Sequence, residues 1–252
     1  MADEPLSPRR YHGRGLHGSL VEHLGQRIVS GEPVPGEALP QEPRLASEYD
    51  VSRTVVREAL RVLAAKGLVD ARPMRGTRVR PRADWRLLDP DLLRWSMDAD
   101  GREALLEHLL EIRLLVEPAA ARLAAERARS HQRALLDDAI AALESASADV
   151  SAFIEADLAL HAAIFEATAN PVLAELIAPI EAALRMGRQV QARVADGQAS
   201  GLAPAIEMHR AVVRAICAGD GTVAEDAMRE LVTSATRDAR HVLGSGIGRS
   251  DG

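Results

Sequence analysis

The sequence predicts a mainly α-helical protein: an N-terminal winged helix-turn-helix with a small β-hairpin wing, followed by a C-terminal all-α helical bundle. Near the N-terminus, helical apolar periods give way to two short extended runs separated by a Pro- and Gly-containing turn. After residue 102, apolar residues recur at helical spacing without a strand signal. Aromatic residues are only 2% of the 252 residues, so Leu, Ala, Val and Ile must build the core. That composition favours packed helices.

The N-terminal elements follow one another closely. Residues 1–15 show no apolar period and are expected to form a flexible arm. A helix is predicted over 16–30, where apolar residues recur at helical spacing until Gly31 ends the run. Dense Pro and Gly then make 31–43 a turn-rich connection.

A helix-turn-helix and a hairpin are predicted next. A short helix over 44–49 leads through a tight turn to a second helix over 53–66, for which Ser52 is a natural N-cap. Extended runs over 68–71 and 77–80 then form a hairpin with a basic tip. This order of elements is that of a winged helix-turn-helix.

The remaining chain divides into a linker and a helical domain. The predicted boundaries are a winged domain over 16–82, a linker over 83–101, a helical domain over 102–243 and a disordered tail over 244–252. The linker is expected to pack on its neighbours through Trp85 and Trp95. Six helices are predicted in the helical domain: 102–129, 131–147, 151–169, 172–195, 204–218 and 222–243.

The charge is distributed unevenly along the chain. Residues 1–82 hold fourteen Lys and Arg against ten Asp and Glu, whereas the remainder holds seventeen against twenty-seven. A basic N-terminal part on an acidic body suits a region that faces a polyanion. The single cysteine, Cys217, excludes an internal disulfide framework. Without a signal peptide or an apolar stretch long enough for a membrane helix, we expect a cytoplasmic location and no membrane contact.

The start of the second predicted helix has the features of a DNA-reading element. Because Val56 must face the core, the residues left at the open N-terminal end are Ser52, Arg53, Thr54 and Arg57. Two arginines four residues apart repel each other, and an anion at the helix N-terminus would relieve the repulsion. Arg also supplies the two-pronged donor that reads guanine. The alternative is a surface helix with solvated arginines.

The stretch LPQEPRLASEYDVSRTVVREALRVLAAKGLVDARPMRGTRV strongly resembles the GntR superfamily of winged-helix regulators, and the match covers 16–80. The resemblance implies contacts to double-stranded DNA from the four residues at the helix start, Ser52, Arg53, Thr54 and Arg57. It also implies a wing contact near Arg75 and Gly76. Pro43 stands where the family often carries Arg, and Arg44, one position later, is the candidate substitute for that contact.

Three residues of the helical domain could form a polar cluster on an apolar face. Asp157 and His161 are four residues apart on the inner stripe of one predicted helix, and His209 lies on the inner stripe of another. Buried polar groups need partners, and a divalent metal would satisfy all three. The alternative is a hydrogen bond between Asp157 and His161 within one helix, with His209 satisfied separately.

Residues 102–243 resemble the all-helical FCD effector domain of the FadR subfamily. The signals are Glu111-Ile-Arg113 with Glu117, Asp157-x-x-x-His161, Asn170-Pro171, and His209 with the residues that follow it to Met228. The resemblance implies a metal such as Zn or Ni, held by Asp157, His161 and His209, that helps to bind a carboxylate effector. The family's fourth ligand, a histidine, would fall at Leu231, which cannot bind a metal.

Arg113 is the candidate partner of the effector carboxylate, with an ion pair to Glu117 as its alternative role. Asn170 and Arg185 are further candidate effector contacts. The segment PRADWRLLDPDLLRW is similar to the linker of family members that respond to sugar acids such as galactonate or gluconate.

The functional prediction is therefore a homodimeric, effector-responsive transcriptional regulator, most simply a repressor and not an enzyme. Two other functions stay open on the residues alone. A metallohydrolase could use Asp157, His161 and His209 to activate water, although no general base or nucleophile motif accompanies them. A helical interaction module without a ligand is the other, since Leu231 removes one family ligand.

Overall fold

The computed structural model describes residues 15–72, 76–97, 99, 101–194 and 202–246. The chain divides into two compact units, Met1–Arg102 and Glu103–Gly252. Most of the predicted N-terminal arm, the tip of the predicted hairpin and the last six residues lie outside the described residues.

The first unit has the predicted order of helix, helix, turn, helix and hairpin. Its elements are α1 (Gly15–Val29), α2 (Glu42–Glu48), α3 (Arg53–Ala65), β1 (Val69–Arg72), β2 (Gly76–Val79) and α4 (Pro90–Ser96). The core is aliphatic and includes Leu20, Leu24, Ile28, Leu45 and Leu63. The winged helix-turn-helix predicted from the sequence is therefore confirmed.

Helix α3 presents one face to this core and the other to solvent. Val56, Ala59, Leu60 and Leu63 are buried, at the spacing of one helical face. Ser52 begins the helix as its N-cap, and its Oγ accepts a hydrogen bond from the backbone N–H of Val55 at 3.3 Å. The residues between the buried positions are therefore directed outward.

The connection before α2 takes part in the wing. β1 and β2 pair antiparallel with Val69 opposite Val79, and Ala38 forms a further bridge with Arg78. The N–H of Leu39 donates to the carbonyl of Thr77 at 2.9 Å. The prediction of 31–43 as a turn-rich connection was incomplete, because its backbone finds strand partners that lie about forty residues away in the sequence.

The segment predicted as a linker over 83–101 contains helix α4. Asp89 caps this helix by accepting from the N–H groups of Asp91 and Leu92, and Pro90 occupies its first turn. Trp85 and Trp95 are buried in the core of the first unit, as their predicted packing requires. The ring of Trp95 lies against Gly25 of α1, where a Cβ would overlap it.

The second unit is entirely helical within the described residues. Its helices are α5 (Arg102–Arg127), α6 (Ser130–Ser145), α7 (Val150–Ala167), α8 (Pro171–Ala174), α9 (Ile177–Val194), α10 (Leu202–Ala218) and α11 (Gly221–Gly246). The single helix predicted over 172–195 was wrong, since two helices replace it. The break places Pro179 in the first turn of α9, where its missing N–H removes no hydrogen bond.

A few charged and polar side chains are buried inside the helical unit. They lie on α5, α7, α10 and α11 and at the C-cap of α7, and they are Arg113, Glu117, Asp157, His161, Thr168, His209 and Thr236. Such groups are costly to bury without partners. Within the described ranges, no helix has the length and hydropathy needed to cross a bilayer.

Candidate functional site

The start of α3 forms an exposed polar surface. Ser52, Arg53, Thr54 and Arg57 are all exposed, in keeping with the sequence prediction. The first backbone N–H groups of a helix have no partner within the helix, and they favour a bound anion. In α3, the Ser52 side chain accepts a hydrogen bond from one of these groups, that of Val55. This surface can accept a phosphate and still present two guanidinium groups beside it.

Arg57 already has an acidic partner on α2. Its Nε lies 2.8 Å from Oε2 of Glu42, and the Arg57 side chain remains 64% exposed. No described residue accepts a hydrogen bond from its two terminal nitrogens. Glu42 thus relieves the repulsion between Arg53 and Arg57 that the spacing implies, and leaves the end of the Arg57 guanidinium open to a base or a phosphate.

The remaining predicted contacts lie on α2 and the wing. Arg44 is exposed on α2. Gly76 is exposed with φ +72°, and nothing lies within 4 Å of the place a Cβ would occupy, so a bound backbone could approach it closely. Arg75 lies outside the described residues.

Asp157, His161 and His209 converge inside the helical unit. Asp157 and His161 lie on α7, and His209 comes from α10. One possible ligand atom from each of the three lies within 4.8 Å of the others. Nε2 of His209 is 2.8 Å from Oδ1 of Asp157, and Nε2 of His161 is 3.6 Å from it. The alternative in which His209 is satisfied apart from the other two does not describe this geometry.

The outer nitrogens of both imidazoles face acceptors. Nδ1 of His209 lies 2.7 Å from the carbonyl of Ala205, and Nδ1 of His161 lies 2.8 Å from Oε2 of Glu117. A proton on each Nδ1 leaves a lone pair on each Nε2. Both Nε2 atoms are buried and face Oδ1 of Asp157. Lone pairs aimed at a carboxylate repel it, and a cation between them would turn the repulsion into coordination.

Glu117 connects this cluster to Arg113. Its other carboxylate oxygen, Oε1, accepts a hydrogen bond from Nε of Arg113, and both side chains are almost fully buried. Burial alone would raise the pKa of Glu117, but the Arg113 guanidinium and the His161 imidazole outweigh it and lower the pKa to about 2. Glu117 is therefore ionised and acts as the anion behind His161. Sequence reasoning assigned it only as the alternative partner of Arg113.

A small cavity lies beside the cluster. Its volume is about 20 Å³, enough for an ion or a water molecule. Arg113 and the three possible ligands line it together with the apolar side chains of Leu110, Leu184 and Leu231. Leu231 is buried in the wall, and no metal can bind to it.

Two predicted effector contacts lie elsewhere. Asn170 caps α8, where its Oδ1 accepts from the N–H groups of Val172 and Leu173. Arg185 forms an ion pair with Glu155 of α7, and neither Asn170 nor Arg185 lines the cavity. Both remain predictions as effector contacts.

We expect Glu117→Gln to weaken Zn²⁺ binding by about 10- to 100-fold, the range found when a group behind a ligating histidine is removed. The neutral amide no longer favours the proton on Nδ1 of His161. Competition with a chromophoric chelator measures the affinity. Glu126→Gln is the matched control, because Glu126 lies on the same helix and is paired on the surface with Arg122. Equal Zn²⁺ affinities in the two variants would contradict the assigned role of Glu117.

Comparisons with known proteins match both units. The family model "Bacterial regulatory proteins, gntR family" matches residues 16–79, and the FCD domain model matches residues 108–234. The chain is 37% identical over 223 residues to the galactonate operon transcriptional repressor of Escherichia coli K12, covering 88% of this chain and 96% of that protein. It is 35% identical over 233 residues to the HTH-type transcriptional regulator YieP of the same strain, covering 91% and 98%.

A solved structure shares the fold. It is the structure of Lar, described as controlling the expression of the Listeria monocytogenes agr system. It aligns with a TM-score of 0.64 at 18% identity and covers 92% of this chain and 99% of that one.

Proposed function

Because the chain belongs to the gntR family of bacterial regulatory proteins and carries an FCD domain, it is a DNA-binding transcriptional regulator, and we propose that it is a dimeric repressor released from its operator by a sugar acid. The observation that carries this proposal is the convergence of Asp157, His161 and His209 beside Arg113 in one cavity of the helical unit. Membership of this family argues against the alternative hypothesis of a metallohydrolase.

In this proposal, α3 and the wing make the contacts to DNA. Arg53 and Arg57 read base edges in the major groove, while Ser52 and Thr54 at the helix start bind the phosphate backbone. Arg44 and the wing at Arg75 and Gly76 add further contacts to the duplex. The exposure of the α3 residues and of Gly76 supports this assignment.

The proposed repressor acts as a two-fold dimer. A symmetric pair places two recognition helices in successive major grooves of a pseudo-palindromic operator, about one helical turn apart. Its mass in solution would be twice the 27.1 kDa of one chain. Effector binding changes the spacing of the two helices and so weakens simultaneous docking.

Asp157, His161 and His209 would hold a divalent metal such as Zn or Ni. The convergence of both buried Nε2 atoms on Oδ1 of Asp157 and the acceptors behind each ring support this assignment. When bound, the metal supplies a positive centre with open coordination positions for a carboxylate oxygen. With Leu231 in the wall, the protein itself contributes three ligands.

Arg113 would bind the effector carboxylate together with the metal. Its guanidinium lines the cavity, and its Nε is fixed by Glu117. The cavity of about 20 Å³ is too small for a six-carbon acid, so the effector must separate the helices around it. This requirement gives the effector a direct means to change the shape of the helical unit. The 37% identity to the galactonate operon repressor supports a hexonate as the effector class.

We expect millimolar D-galactonate to raise the melting temperature of the intact protein in the presence of Zn²⁺, and to raise it less after chelation. At a concentration of about 100 times Kd, a ligand adds about 2.7 kcal/mol of stability. D-galactose is the matched control, since it has the same carbon skeleton without the carboxylate. Equal shifts with the acid and the sugar, or no shift with either, would overturn the proposed effector class.

A further inference from the structure

Residues 80–107 are covered by neither matching family model. The structure nevertheless ties much of this stretch to the recognition helix. We propose that the DNA-binding unit extends to Ala99, and that Lys66 is the positioning residue that couples helix α4 to α3. This inference rests on the proposed function, a repressor controlled by an effector. It identifies α4 as the element through which effector binding acts on the recognition helix α3.

Lys66 is the only lysine of the chain and lies immediately after α3. Its Nζ lies 2.8 Å and 2.9 Å from the two carboxylate oxygens of Asp89 and 2.7 Å from Oδ2 of Asp91. Asp89 is also the N-cap of α4. One ammonium group at the end of the recognition helix therefore holds the start of α4 by two carboxylates.

A second set of contacts joins α4 to α1. The Arg94 guanidinium binds the Glu22 carboxylate through both terminal nitrogens and also reaches Oδ1 of Asp91 at 2.9 Å. Nε1 of Trp95 donates to Glu22 at 2.9 Å. Lys66, Asp91, Arg94 and Glu22 thus form a continuous charged chain from α3 through α4 to α1.

The backbone around Lys66 reinforces this connection. The N–H of Arg86 donates to the Lys66 carbonyl at 3.1 Å. Gly67 has φ +80° and lies so close to the carbonyl of Asp84 that a Cβ there would overlap it. The segment before α4 is held to the end of α3 by main-chain contacts as well as by charge.

These contacts make α4 part of the rigid body that contains α3. The Lys66 side chain is only 13% exposed, so its ion pairs are less screened than surface pairs are. Burial lowers the pKa of Lys66, but its two carboxylate partners outweigh burial and raise it, so the ammonium stays charged at neutral pH. A displacement applied to α4 therefore either moves α3 or breaks several charge-assisted hydrogen bonds at once.

Hydrogen exchange on the intact protein tests the coupling without any effector. In Lys66→Met, we expect the amides of α4 to exchange at least about ten times faster, while the buried turns of α3 keep their protection. Lys66→Arg retains the charge and should restore the protection of α4. Arg61→Met is the matched control, because Arg61 lies on α3 and, among the residues that the structure describes, pairs with Glu58 of the same helix. Unchanged exchange of α4 in Lys66→Met would overturn the inference.

Operator release tests the functional consequence. With an operator selected from random DNA by the wild type, Lys66→Met should bind the operator and D-galactonate within about 2-fold of the wild type. D-galactonate should then weaken its operator binding by less than about 2-fold, against about 5- to 150-fold in the wild type. A normal release by Lys66→Met would contradict the coupling role. A wild type that D-galactonate does not release would contradict the proposed effector, and the exchange result would then decide on the coupling alone.

Discussion

Arg53→Ala and Arg57→Ala are each expected to weaken operator binding by about 5- to 150-fold, because a bidentate contact to a base is worth about 1–3 kcal/mol. Both side chains are exposed at the start of α3, so their removal creates no cavity and leaves no buried partner. Binding to random DNA should fall much less than binding to the operator, since base contacts carry the sequence specificity. Fluorescence anisotropy with labelled operator and labelled random duplex, at one fixed salt concentration, measures both affinities.

Arg214→Ala is the matched control for this pair. Arg214 lies on α10 of the helical unit, its side chain is 68% exposed, and its ion pair among the described residues is with Glu207 at 3.6 Å. The Arg214→Ala protein should bind the operator with the affinity of the wild type. Size-exclusion chromatography must give the same elution volume for all three variants. Undiminished operator affinity in both α3 variants would contradict the assignment of α3 as the recognition helix.

Loss of a candidate metal ligand is expected to have the second large effect. His209→Ala or Asp157→Asn should weaken Zn²⁺ binding by more than about 100-fold, the upper limit for removing a group that only supports a ligand. Isothermal titration with Zn²⁺, after exhaustive chelation, measures the affinity directly. Circular dichroism of each metal-free variant establishes that the helices have formed.

His131→Ala is the control for the ligand variants. His131 is exposed at the start of α6 and belongs to no cluster of possible ligands among the described residues. It removes one imidazole without touching the cavity. Folded His209→Ala and Asp157→Asn proteins that bind Zn²⁺ as tightly as His131→Ala would show that the three residues do not form a metal centre.

The fold of the first unit could be predicted because its signals are local. Ser52 at a helix start and a helical apolar stripe through Val56 and Leu63 define α3 without any tertiary information. The bridge between Ala38 and Arg78 could not be found in this way, since it joins residues far apart in the chain. Helix α4 did carry local signals, a capping Asp89 followed by Pro90, but at seven residues it is shorter than the periodicity can detect.

The candidate metal centre was predicted only in part for a related reason. Asp157 and His161 share an apolar stripe, so spacing alone places them together. In helix α5, apolar and charged residues are not separated onto opposite faces, so no clear period tells which of its polar residues face inward. The sequence therefore predicted Glu117 only as the alternative ion-pair partner of Arg113, whereas the fold buries both and also brings the Glu117 carboxylate to His161.

Leu231 distinguishes this chain from the ligand pattern that the family resemblance implies. It lies in the wall of the same cavity as the three candidate ligands. A metal held there would have one ligand fewer from the protein and one position more for an effector or a water molecule. The site is thus suited to an occupant that binds together with a carboxylate.

The affinity of the intact protein for its operator, with and without D-galactonate, tests the central claim most directly. Anisotropy titrations in Zn²⁺-containing buffer are expected to show nanomolar binding to the selected operator, weakened at least about 5-fold by millimolar D-galactonate and unaffected by D-galactose. Operator affinity that stays the same with and without D-galactonate, in a protein that binds the acid, would contradict the claim that the helical unit controls the recognition helices.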